Sequence, residues 1–156
     1  MQKPLAEILR PRTLDSYVGQ DHLMGEGAVL RNAIEQDNIQ SMIFWGPPGV
    51  GKTTLALLIA ELTHSEFFML SAISSGVKDI RDVIEKAKKT EHRCLLFIDE
   101  IHRLNRQVEE VLYPAMEDFV LDIIVEMYFG NAFCFNLIPV KDGCCNVYLG
   151  LVDSDV

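Results

Sequence analysis

Short apolar runs alternate along the chain with stretches whose apolar residues recur every three or four positions. That alternation is the pattern of a parallel sheet joined by helical crossovers. Leu30, Ala33 and Ile34 predict a short helix ahead of the first strand. Met42–Trp45, ended by Gly46, predicts a buried strand. From Thr53 onward, Leu55, Ala56, Leu58, Ile59 and Leu62 follow helical spacing. Phe67–Leu70 predicts the next strand, and Ser74-Ser75-Gly76 opens a helix with the stripe Val77, Ile80, Val83, Ile84 and Ala87. Cys94–Ile98 is an uninterrupted apolar run between Arg93 and Asp99 and reads as a central strand. Val108, Val111, Leu112, Ala115, Met116 and Phe119 predict an amphipathic helix. Pro114 should kink or shorten it, because proline has no N–H to bond back to the preceding turn.

Past about Val125 the period fades. Residues 126–156 hold β-prone fragments and a Lys141-Asp142-Gly143 turn signal, with no helical spacing. They either add one or two strands to the sheet or form a poorly ordered tail. Residues 1–125 are the core. No internal repeat or low-complexity linker divides the chain.

Composition narrows the class. A chain of 156 residues, nearly half of them apolar, suits one domain with a real core. No basic segment followed by an apolar one and a small-residue cleavage site marks a secretory signal. The most apolar window, Val120–Val140, is interrupted by Asp122, Glu126, Asn131 and Asn136, whereas a spanning helix needs about 20 mainly apolar residues. The expectation is a cytoplasmic protein without a membrane role. Cys94, Cys134, Cys144 and Cys145 form no zinc-ligand spacing and read as free thiols. Net charge is −9, unevenly spread. Residues 1–106 hold 14 acidic and 13 basic groups, while residues 107–156 set nine acidic groups against Lys141 alone. Nucleic-acid surfaces need clustered Lys and Arg, so composition gives DNA binding no independent support.

Two motifs carry chemistry. "GPPGVGKT", Gly46–Thr53, fits the phosphate-loop pattern GxxxxGK followed by Ser or Thr, and it lies between a predicted strand and a predicted helix. Gly46, Pro47, Pro48, Gly49, Val50 and Gly51 form the loop, with Thr54 just beyond it. Gly49 and Gly51 let backbone N–H groups face phosphate oxygens, and the helix start adds its positive dipole end. Lys52 would charge-pair with the β- and γ-phosphates, and the Thr53 hydroxyl would ligate Mg²⁺. "CLLFIDE", Cys94–Glu100, ends a strand in two acids. Strand C-termini of a parallel sheet face the ligand crevice. Asp99 is the second Mg²⁺ candidate, and Glu100 is the candidate catalytic residue that orients or deprotonates water, alongside Lys52. The spacing permits the strands of the two motifs to be neighbours. A Glu directly after the Asp favours water as acceptor, against a small-molecule kinase. His102 and Arg103 either couple the γ-phosphate to a neighbour or cap a turn, and His22, His64 and His92 read as surface or packing residues.

Together with "RPRTLDSYVGQDHL", Arg10–Leu23, these residues resemble the AAA+ family of ring-forming ATPases. The resemblance implies a P-loop three-layer α/β/α fold, the AAA+ large subdomain, here truncated with no helical lid. It implies ATP and Mg²⁺ as cofactors, with Tyr17, Val18 and Gly19 lining the adenine. Residues 1–103, with "PLAEILRPRTLDSYVGQDHLMGEG", "SMIFWGPPGVGKTTLA" and "LSAISSGVKDIRDVIEKAK", are similar to the replication-associated recombination protein A family (RarA, also called MgsA). Residues 97–124, where "IDEIHRLNR" runs into "QVEEVLYPAMEDFVLDII", resemble instead RuvB, the Holliday-junction branch-migration motor. The first family would carry a "RFNKSQQD"-like stretch there.

The implied function is that of an AAA+ ATPase domain of bacterial DNA recombination, repair or replication, coupling ATP hydrolysis to DNA remodelling. DNA and a homo-oligomeric ring are the implied partners. The RuvB-like alternative adds a junction-binding partner protein. Residues 125–156 resemble neither family. Asn136 and Ser154 are the candidates for a γ-phosphate sensor, and no arginine follows Arg106 to serve as a finger. Such a finger is worth about 10³–10⁵ in rate. A third reading is therefore a truncated or hybrid nucleotide-binding fragment with feeble turnover.

Overall fold

The computed structural model describes residues 4–118, 120–127 and 147–150. Strands β1 (Met42–Trp45), β2 (Glu66–Ser71), β3 (Cys94–Asp99), β4 (Asp122–Met127) and β5 (Val147–Gly150) form a sheet in the order β2-β3-β4-β1-β5. Every pairing is parallel. Helices α1 (Leu5–Ile8), α2 (Asp21–Met24) and α3 (Val29–Glu35) precede the sheet. The crossovers are α4 (Lys52–Leu62), α5 (Val77–Lys89) and α6 (Arg106–Glu117). Among the described residues no helix is long and apolar enough to cross a membrane.

The three-layer architecture follows from strand periodicity. Side chains on a strand alternate between faces, so a strand covered on both sides must be apolar throughout. In β3, Leu95 and Phe97 join the core formed with α2, α3 and α4, while Leu96 and Ile98 join the core formed with α5 and α6. In β1, Phe44 takes the first side and Ile43 the second, and in β4 Ile124 opposes Ile123 and Val125 in the same way. Phe44, Leu95, Leu96, Phe97, Ile98 and Ile124 are all 0% exposed. Each such burial contributes roughly 1.5–3 kcal/mol.

Two expectations are corrected. The phosphate-loop strand and the acidic strand are not neighbours, because β4 lies between them, with Phe44 opposite Glu126 on one side and Ile98 opposite Val125 on the other. Ile123, Ile124 and Val125 are apolar on consecutive positions, which suits the doubly covered centre of the sheet. Pro114 does not shorten its helix, since α6 runs through it to Glu117. Burial of Leu112, Ala115 and Met116 on both sides of the proline holds the last turn in place. The readings on Phe119, Asn131, Cys134, Asn136, Lys141-Asp142-Gly143, Cys144, Cys145 and Ser154 lie outside the described residues. Cys94 is a buried free thiol, and burial pushes its pKa up, which makes it unreactive.

Candidate functional site

The loop Gly46–Gly51 connects β1 to α4. Gly49 and Gly51 have φ of +84° and +91°, a region that side-chain-bearing residues rarely enter. Gly51 is also the residue from which α4 starts, and its carbonyl accepts the Leu55 N–H at 2.8 Å. Lys52, the first helical residue, is 3% exposed. Its Nζ donates to the Gly46 carbonyl at 3.0 Å and the Pro47 carbonyl at 2.8 Å. It also lies 3.0 Å from Glu126 Oε1. Thr53 and Thr54 are half-buried in the first turn of α4.

Asp99 is the last residue of β3, and Glu100 follows in the left-handed region with φ 53° and ψ 46°. That reversal leads into a 3-10 turn, Ile101–Arg103, closed by the Arg103 N–H on the Glu100 carbonyl at 2.8 Å. Glu100 Oε2 is buried without a hydrogen bond, and its nearest cation is Arg103 Nε at 3.5 Å. Arg103 thus faces the candidate base from within the same turn. His102 also belongs to this turn.

Glu126 was legible in the sequence only as a polar interruption, yet β4 carries it to the loop. Strand alternation puts Asp99 on the face of Leu95 and Phe97, and Glu126 on the face of Ile124, which is the face that α4 covers. Burial raises the Glu126 pKa, Lys52 pulls it back down, and the negative charges of Asp99 and Glu100 raise it again. The net direction is upward. The signal that could have found it is an apolar run ended by an acid, "DIIVE", the same form as "CLLFIDE".

A cleft of about 360 Å³ joins Tyr17, Val18 and Gly19 to Gly49, Val50, Gly51 and Thr54. The segment is set by Thr13 and Ser16, whose side chains exchange hydrogen bonds with each other's backbone N–H in a capping box. Tyr17 Oη stands over the loop, 3.1 Å from where a β-carbon on Gly51 would sit. Burial pushes the Tyr17 phenol up to about 12. Val18 is 93% exposed at the rim.

Among the described residues no group of three or more His, Cys, Asp or Glu side chains is placed to hold a metal. One hydroxyl, Thr53, and one carboxylate, Asp99, suit an ion that brings much of its own coordination, as Mg²⁺ does when it arrives with phosphates and water.

The family model of the "Holliday junction DNA helicase RuvB P-loop domain" matches residues 9–136. Replication-associated recombination protein A of Haemophilus influenzae is 48% identical over 118 residues, 74% of this chain and 26% of that protein. Holliday junction branch migration complex subunit RuvB 1 of a Synechococcus strain is 43% identical over 121 residues, 76% of this chain and 32% of that protein. The Thermotoga maritima RuvB Holliday junction branch migration motor superposes with a TM-score of 0.62 at 34% identity, covering 77% of this chain and 41% of that one. This chain thus spans roughly a quarter to a third of the length of these two curated relatives. It belongs to the family of the RuvB P-loop domain and is an AAA+ ATPase domain homologous to the replication-associated recombination protein A and RuvB proteins.

Proposed function

We propose that residues 1–125 bind ATP with Mg²⁺ and hydrolyse it as the ATPase core of a cytoplasmic DNA recombination, repair or replication protein of the replication-associated recombination protein A kind. The observation that carries the proposal is the convergence, at the C-terminal ends of the strands, of the loop Gly46–Gly51, Lys52, the acids Asp99 and Glu100, and the Tyr17 cleft. Tyr17, Val18 and Gly19 receive the base. Backbone N–H groups of the loop, with the dipole of α4, hold the phosphates, and Lys52 reaches the terminal ones. Thr53 and Asp99 hold Mg²⁺, which when bound neutralises phosphate charge and orients the terminal group. Glu100 takes the proton of the attacking water, which requires its carboxylate to be freed from Arg103.

The family's work on DNA, in a ring whose sites are shared head-to-tail, is the setting of this activity. The RuvB-like alternative is a branch-migration motor docked on a junction-binding protein, and it is favoured by the family model that spans residues 9–136. A further reading, nucleotide binding without sustained turnover, is favoured by the engagement of Lys52 with Glu126 and of Glu100 with Arg103.

Steady-state ATPase measurement with and without DNA decides between them. Glu100→Gln should lower turnover by roughly 10²–10⁴-fold while ATP binding persists. Lys52→Ala, checked for folding by circular dichroism, should abolish nucleotide binding. Binding that survives Lys52→Ala unchanged sinks the nucleotide site, and a single turnover with no steady state selects the last reading.

A further inference from the structure

The Lys52 ammonium has three N–H donors, and three acceptors surround it: the Gly46 and Pro47 carbonyls and Glu126 Oε1. The two carbonyls belong to the phosphate loop itself. The third acceptor is a carboxylate from a strand whose sequence position no phosphate-loop pattern covers. We infer that Glu126 is a specificity-determining residue of this site, its carboxylate competing with a terminal phosphate for Lys52 so that the site discriminates against triphosphate relative to diphosphate.

The inference rests on the nucleotide reading above and adds a preference to it. Three features carry it. The ion pair is sheltered, with the two side chains only 2% and 17% exposed, so salt and water screen it little. The carboxylate is held by the sheet, because Glu126 is in register with Phe44 of the strand that feeds the loop. Main-chain pairing thus fixes the backbone from which the carboxylate reaches Lys52. The carboxylates of Asp99 and Glu100 already act on Glu126 electrostatically, so the site concentrates negative charge before any phosphate arrives. A diphosphate meets Lys52 through its β-phosphate alone and is otherwise cradled by backbone N–H groups. A third phosphate depends on Lys52 and brings further negative charge toward three carboxylates.

The test is equilibrium titration of ATP and of ADP in EDTA, by calorimetry, on the wild-type chain, Glu126→Gln and Glu126→Asp. EDTA removes the contribution of the metal, so the readout is binding and not turnover. Wild-type protein should bind ADP at least as tightly as ATP. Glu126→Gln, of equal size and no charge, should shift the ratio of the two dissociation constants toward ATP by about tenfold, the scale of one partly screened like-charge contact. Glu126→Asp, which keeps the charge, should stay within about threefold of wild type on the same scale. A ratio unchanged in Glu126→Gln, with both nucleotides still binding, overturns the inference and leaves the nucleotide reading standing. Should Glu126→Gln not fold, the wild-type titration still decides, because ATP bound more than about tenfold tighter than ADP without metal overturns it. Binding of neither nucleotide by any folded form overturns the nucleotide reading and this inference together.

Discussion

Gly51→Ala tests how the phosphate loop and the Tyr17 segment are fitted to each other. Two costs follow from the geometry. Gly51 has a φ of +91°, and an alanine there meets the left-handed penalty of about 1–2 kcal/mol. The new β-carbon also arrives 3.1 Å from Tyr17 Oη, so the phenol must retreat by a few tenths of an ångström. That crowding adds roughly 1 kcal/mol, the low end of overpacking. The expected total is about 2–3 kcal/mol, a fall in melting temperature of roughly 4–12 °C for a chain of this size. Urea unfolding followed by circular dichroism and by the emission of Trp45, the one tryptophan, gives the value. Removing the hydroxyl separates the terms. In a Tyr17→Phe background the nearest remaining ring atom is Cζ at 3.9 Å, an ordinary contact. The alanine should then cost only the backbone part, about 1–2 kcal/mol. Equal costs in both backgrounds would refute the collision. A cost under about 0.5 kcal/mol in both would refute the backbone term as well.

Three further outcomes are expected. The Tyr17 phenol, raised to about 12 by burial, favours the folded state below its unfolded value of 10.0, and that contribution is lost as pH climbs from 10 to 12. The 295 nm absorbance difference between wild type and Tyr17→Phe should titrate near 12, and a midpoint near 10 sinks the burial argument. Phe97→Ala empties a fully buried position that stacks on Phe67 with ring centroids 6.3 Å apart, and it should cost about 3–5 kcal/mol in urea unfolding. A loss below about 2 kcal/mol would mean that the sheet collapses around the gap. Asn105→Ala removes the side-chain oxygen that accepts the Gln107 N–H at 2.9 Å at the start of α6, and a loss of about 1 kcal/mol should appear in the same assay. Recovery by Asn105→Asp and failure to recover by Asn105→Leu would identify the effect as capping.

What could be read from the chain was what local pattern encodes. The run Cys94–Ile98 is apolar at every position because both faces of β3 are covered, and burial on both faces leaves no other composition available. Gly49 and Gly51 stand where the backbone turns with positive φ, so the loop was visible as a spacing of glycines. The stripe in α5 buries Ile80, Val83 and Ala87 as its period implies. Pro114 marks the limit of such reasoning. A missing N–H is a local cost of one helical bond, and tertiary burial of Leu112, Ala115 and Met116 outweighs it.

Strand order lies wholly beyond local pattern. The pairing of Phe44 with Glu126 joins residues far apart in sequence, and nothing within either strand specifies the other. Two neighbouring strands, β1 and β3, would be as consistent with the motif spacing as two strands separated by β4. The difference has a chemical consequence. With β1 beside β3, the phosphate loop would face only Asp99 and Glu100, and Lys52 would have no buried counter-charge of its own. With β4 between them, Glu126 stands 3.0 Å from Lys52 and alters the charge that any phosphate must meet. The residue that merely broke an apolar window in the sequence is thus given its chemistry by topology, since only the sheet order decides which strand end faces the loop.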